Sequence, residues 1–184
     1  RYRLVERQRR AVMRSSCTED VGLQRRAREV HAGDVAGRSL CIDGFNLLTT
    51  VEAALAGGVI LVGRDGCYRD MASMHGNYRK VEETVPAIRI VGECVASLAV
   101  PSCRWVLDRP VSNSGRLRAM LLDFAEQRGL EWEVELVPDA DPVVASAGEV
   151  VVSADSWVLD SGGPWFNLAK HCVESSVPEG WLID

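Results

Sequence analysis

No stretch of this sequence is apolar for long enough to cross a membrane, and no secretory hydrophobic segment is visible, so no membrane partner is expected. Cysteine never forms a C-x-x-C pair. Cys17, Cys41, Cys67, Cys94, Cys103 and Cys172 are widely spaced, which removes zinc-knuckle spacing, and a chain of 184 residues does not need a disulfide framework. Several sit inside apolar runs and are expected to be small core residues, and the cytoplasm is the expected compartment. The three histidines, His31, His75 and His171, are too scattered for a zinc set. There is no G-x-S-x-G elbow, no Walker loop and no G-x-G-x-x-G. Serine hydrolases, P-loop enzymes and dinucleotide oxidoreductases therefore find no support. Lysine is almost missing too: Lys80 and Lys170 are the only two among 21 basic residues.

What is present is a globular composition, 47% hydrophobic and evenly spread, which suits one domain plus an appendage. The net charge of −5 is uneven: residues 1–38 hold ten arginines and five acids, and the rest holds 11 basic and 21 acidic residues. A basic arm beside an acidic body suits a phosphate backbone as partner, although an Arg-rich helix with one solvated face fits the same count. Leu4, Val5, Val12, Met13, Val21, Leu23, Ala27 and Val30 have helical spacing. A basic helical segment is thus expected over residues 1–37 and the main domain over 38–184, divided near Gly37. Because the chain begins at Arg1 rather than Met, part of the native N-terminus is expected to be missing.

Past Gly37, strand and helix patterns alternate. Leu40–Asp43, Val59–Val62, Arg104–Leu107, Trp132–Leu136 and Val150–Ser153 read as strands. Helices are expected over 47–55, 81–98 (the helix proper starting near Pro86), 116–127 and 141–147, with a helical turn from Asp155. The tail reads as one helix and a final short strand. Glu131, Glu133 and Glu135 alternate with apolar residues, as on an edge strand with one wet face. Repeated strand–helix–strand units predict an α/β fold with a parallel sheet and right-handed crossovers.

Four aspartates stand where such a sheet presents ligands, at strand ends and helix starts. Asp43 ends the first strand and opens Asp-Gly-Phe-Asn; Asp108 ends the second main strand; Asp141 opens a short helix before Pro142; Asp155 follows Val-Val-Val-Ser-Ala. Each alone would serve as a helix cap. Four at one edge would repel, and a hard divalent cation with oxygen ligands would relieve them. Asp108 leads into Arg109-Pro-Val-Ser112-Asn113-Ser, a loop rich in phosphate-binding groups. Between Arg64 and Glu83, Tyr68, Arg69, His75, Tyr78, Arg79 and Lys80 mix basic and aromatic groups, as single-strand nucleic-acid surfaces do. The helix-like spacing of Tyr68, Met71, Met74 and Tyr78 equally fits burial.

The set Ile42-Asp43-Gly44-Phe45-Asn46, Asp141-Pro142-Val143-Val144-Ala145 and Val152-Ser153-Ala154-Asp155-Ser156-Trp157 resembles the PIN-like nuclease superfamily, especially its NYN branch. The resemblance covers roughly residues 39–160. With Tyr78–Thr84, Asp108–Gly115 and the Arg-rich N-terminal segment, it looks like an uncharacterised prokaryotic family within that superfamily. Such a resemblance implies a three-layer sandwich around a parallel sheet of about five strands, order 3-2-1-4-5, and an acidic site for Mg²⁺ or Mn²⁺. It also implies phosphodiester hydrolysis, most often of RNA. Asp43, Asp141 and Asp155 would hold metal, and Asp108 would be a fourth catalytic acid. Asn46, Arg109, Ser112, Asn113, Ser153, Arg79 and Lys80 would contact substrate. Two departures stand out: Trp157 occupies the region where many relatives carry a further acid, and the usual helical acid has only Glu82 or Glu83 as candidates.

The sequence thus predicts a metal-dependent nuclease acting on RNA, with DNA or a structured RNA as substrate and a homodimer left open. A catalytically inert RNA-binding or adaptor module on the same fold is the alternative, and a small-molecule phosphotransfer or phosphatase enzyme using the same acids is a third reading.

Overall fold

The computed structural model describes residues 2–71 and 82–184. Arg79 and Lys80, expected to contact substrate, lie outside the described residues, as do His75 and Tyr78. Two helices open the chain, α1 (Glu6–Ser15) and α2 (Glu19–Arg26), the second capped by the Thr18 hydroxyl. A 3₁₀ turn over Ala32–Asp34 leads into β1 (Leu40–Asp43) and α3 (Gly44–Leu55). Then follow β2 (Val59–Val62), β3 (Tyr68–Asp70), α4 (Thr84–Ser97), β4 (Cys103–Asp108), α5 (Ser114–Arg128) and β5 (Trp132–Val137). The chain closes with α6 (Ala140–Ala145), β6 (Val150–Val152), α7 (Ser156–Asp160), α8 (Leu168–Ser176) and β7 (Trp181–Ile183).

The fold is α/β. A four-stranded parallel sheet runs in the order β5-β4-β1-β6, with the fully buried β1 inside it and the glutamate-bearing β5 at one edge. A strand buried on both faces reads as a continuous apolar run, and Leu-Cys-Ile is one. Side chains alternate across the sheet. Leu40, Ile42, Trp105 and Leu107 pack with α3, α4, α5 and α8, whereas Cys41, Val106 and Val151 face α6 and α7 through Val144, Val158 and Leu159. Five of the six cysteines are buried and all are free, as their apolar settings predict.

The sheet has four strands where about five were expected. The last strand of the chain, β7, instead joins β2 and β3 in a separate three-stranded sheet, order β3-β2-β7. Among the described residues the main sheet continues beyond β6 as single parallel bridges, Val151 to Trp165 and Trp165 to Glu29. Pro164, which has no N–H to give a ladder, stands beside the first of these.

The N-terminal helices are docked rather than free. Arg25 is only 3% exposed, and its carbonyl accepts the Trp165 indole N–H at 2.7 Å. Among the described residues no helix is long and apolar enough to cross a membrane.

Candidate functional site

Register brings three of the four aspartates to one end of the sheet. Asp43 lies level with Val106 of β4, so Asp108 ends the neighbouring strand two residues further on. Ile42 lies level with Val152 of β6, so Ser153 and Asp155 follow at the same end. Asp141 sits in the first turn of α6, and the α6 start is tied to Asp108, whose Oδ1 accepts the Ala140 N–H at 2.8 Å.

Asp43 is the deepest of the four, 5% exposed. It caps α3, accepting the Asn46 N–H at 3.2 Å, while the Ser153 hydroxyl donates to its other oxygen at 2.9 Å. Burial pushes this carboxyl up; the two hydrogen bonds draw it down, and the charges of Asp141 and Asp108 raise it again. The result stands at about 7. Asp141 is raised to about 6, by burial first and then by Asp155, Asp108 and Asp139. Asp43 therefore feels Asp141 and Asp108, and Asp141 feels Asp155 and Asp108. The Gly44 of the Asp-Gly-Phe-Asn run has a local reason: a Cβ there would come within 2.4 Å of the buried Leu107 Cδ2.

Asn46 and Ser153 hold the loop between β6 and α7. The Asn46 carbonyl oxygen accepts the Ala154 N–H at 2.9 Å, and Ser153 Oγ accepts the Asp155 N–H at 3.0 Å. Asp155 caps α7, its Oδ1 accepting the N–H groups of Trp157 (2.8 Å) and Val158 (3.2 Å). Beside Asn46 and Ser153 lies a cavity of about 10 Å³, also lined by Phe166 and Asn167, room for roughly one water molecule. Trp157, in the first turn of α7, is 58% exposed.

The second expected group is more scattered. Arg109 is exposed and donates to the Leu136 carbonyl at 2.8 Å, so it lies along the β5 side of the edge. Ser112 and Asn113 are exposed in the turn before α5, where Asn113 adopts a left-handed conformation, φ 66°. Glu82 is exposed, and Glu83 sits at the start of α4.

Reading Tyr68 and Arg69 as part of a nucleic-acid surface needs correction. Both are buried. Tyr68 packs in the core of the small sheet and donates to Glu174 at 2.9 Å. Arg69 is bidentate to Asp65, at 2.9 and 2.7 Å, and its Nε donates to the Ala154 carbonyl at 2.8 Å. The importance of Asp65, 1% exposed, was not evident from the sequence. Its only local signal was Asp65 and Arg69 standing four residues apart, a spacing common in solvated pairs.

All donor groups at the edge are oxygens of carboxylates, an amide and a hydroxyl, the chemistry hard cations prefer. Among the described residues no set of three or more His, Cys, Asp or Glu side chains is gathered closely enough to hold an ion.

No solved structure matches the chain. It is 31% identical over 128 residues to the uncharacterized protein MJ0935 of Methanocaldococcus jannaschii, a match covering 70% of this chain and 61% of that protein's length. Residues 32–171, well over half of the chain and spanning all four aspartates, match the family described as a domain of unknown function, DUF5616, and the chain belongs to that family.

Proposed function

We propose that this chain is a Mg²⁺- or Mn²⁺-dependent nuclease of the PIN-like kind, hydrolysing phosphodiester bonds in RNA. The observation that carries the reading is the convergence of Asp43, Asp108, Asp141 and Asp155 on one sheet end, with Asp43 and Asp141 raised to about 7 and 6. Carboxyls held this far above their ordinary range lack positive charge nearby, and a divalent cation supplies it. The sheet order lends support. The four parallel strands β5-β4-β1-β6 are compatible with positions 3-2-1-4 of the expected order 3-2-1-4-5.

Asp43, Asp141 and Asp155 would hold the ion, which when bound activates water and offsets charge on the leaving oxygen. The protein's own groups orient that set. Ser153 fixes the Asp43 carboxylate by hydrogen bonding to it, and Asn46 pins Ala154 beside Asp155. Arg109, Ser112 and Asn113 flank the edge where an adjacent phosphate would pass, and the exposed Trp157 indole offers a face on which a base can stack.

The inert RNA-binding module keeps one specific observation in its favour. One oxygen each of Asp108 and Asp155 accepts backbone N–H groups, and among the described residues no three-acid set is gathered. Mn²⁺ titration followed by thermal unfolding separates the two readings, since a ligand that binds only the folded state raises Tm. The nuclease reading expects a rise of several degrees in millimolar Mn²⁺, lost in Asp43→Asn, together with Mn²⁺-dependent cleavage of single-stranded RNA. A Tm unmoved by Mn²⁺ would leave the binding module.

A further inference from the structure

The backbone that carries Asp155 is gripped from behind by two buried guanidinium groups. Arg69, 5% exposed, donates to the carbonyl of Ala154 at 2.8 Å. Arg25, 3% exposed, donates to the carbonyl of Ser156 at 3.2 Å and to both oxygens of Asp160 at 2.8 and 2.9 Å. These two carbonyls flank Asp155 on either side. Both guanidinium groups then converge on one carboxylate: Asp65 Oδ2 accepts from Arg25 at 2.7 Å and from Arg69 at 2.7 Å. On the other side, the N–H groups of Ala154 and Asp155 are taken by Asn46 and Ser153.

We infer that Asp65, Arg69 and Arg25 form a positioning unit that fixes the 153–156 loop, and with it the Asp155 carboxylate, in the geometry the acidic site needs. This rests on the nuclease reading for its purpose, though not for its geometry. Arg25 comes from α2, Arg69 from the β2–β3 hairpin and Asp160 from α7, so the unit joins three separate elements to the loop. Such a network is costly to bury and is not the simplest way to stabilise a core, because apolar packing of equal volume does as well. Its specific product is an oriented loop. A planar five-donor guanidinium can grip a carboxylate and a carbonyl together, whereas an ammonium cannot reproduce that fork.

The decisive variant is Arg69→Lys, which keeps the charge and loses the fork, with Arg25→Lys as a second. Three quantities are measured on the full chain: Tm without metal, amide hydrogen exchange, and Mn²⁺ affinity by calorimetry. Exchange over residues 154–158 should quicken by roughly tenfold or more while the amides of β1 and β4 keep their protection. Mn²⁺ affinity should fall by about 10- to 100-fold, the usual effect of removing an outer support of a metal ligand. Unchanged exchange over 154–158 in both variants overturns the inference. So does a loosened loop with unaltered Mn²⁺ affinity, and so does loss of protection throughout β1 and β4 in both variants, which would make the network purely structural. If the unsubstituted chain takes up no Mn²⁺, the nuclease reading fails instead, and the exchange result alone decides whether the guanidinium groups order the loop.

Discussion

At the scale of the residue, Asp43 sets the electrostatics of the site. Its folded value of about 7 lies well above the ordinary 3.8, so between those pH values the folded chain binds more protons than the unfolded one. Stability without metal should therefore fall as pH rises from about 4 to about 7 and level off above that. Asp141, raised to about 6, adds to the fall within the same window. Asp43→Asn should flatten the profile and make the metal-free protein more stable at pH 8 by on the order of 1–3 kcal/mol. Urea unfolding at pH 5 and pH 8 reads this directly, and a parent chain more stable at pH 8 than at pH 5 contradicts it. Asp65 works the other way. Burial alone would raise it, but Arg69 and Arg25 prevail and hold it at about 2, so its contribution is complete above pH 4 and disappears only as pH falls towards 2.

At the scale of the element, the β1–α3 junction shows why a short run of residues can be read correctly. Asp43 caps α3 and Gly44 begins it, packed so tightly on β4 that a methyl group would strike Leu107. Gly44→Ala should destabilise the fold by about 1–3 kcal/mol, because Leu107 is fully buried and can only move into a filled core. Denaturant midpoints check this, and a neutral result would mean that α3 slides outward on β4. Most elements were legible for similar local reasons. The run Val59–Val62 forms β2 with the expected bounds, and Glu133 and Glu135 mark β5 as an edge strand. The hairpin of β2 and β3 was not legible, because nothing in Tyr68-Arg69-Asp70 announces that all three residues are buried.

At the scale of the whole molecule, the basic N-terminal segment and the acidic body meet in two ways. Arg25 is sunk into the body, and Arg14 pairs with the buried Asp70 at 3.6 Å, so neither is a free cation. Arg7 and Arg9 are exposed, and Arg10 pairs with Glu6 on its own helix. If the segment grips RNA, these three contribute to the grip, alongside the exposed Arg3 and Arg38. Replacing Arg7, Arg9 and Arg10 by Ala should then reduce the log–log salt slope of single-stranded RNA binding by about 2, at roughly 0.7 per phosphate. Mn²⁺ binding at Asp43 should be unaffected. An unaltered slope would leave the segment as a structural cover for the body.

The sequence by itself determined the alternation of strands and helices, the α/β class, and the four aspartates at strand ends and helix starts. These follow from short-range physics: apolar periodicity, capping, and the fixed hand of parallel crossovers. Only the tertiary structure decided that β7 leaves the main sheet and that Arg25 and Arg69 face inward. Strand partners and buried ion pairs are chosen by contacts between distant segments, such as Arg25 with Asp65, 40 residues away, and with Asp160, 135 residues away. An arginine that will be buried and one that will stay in water are the same letter. What separates them is whether a carboxylate from another element arrives to meet the guanidinium.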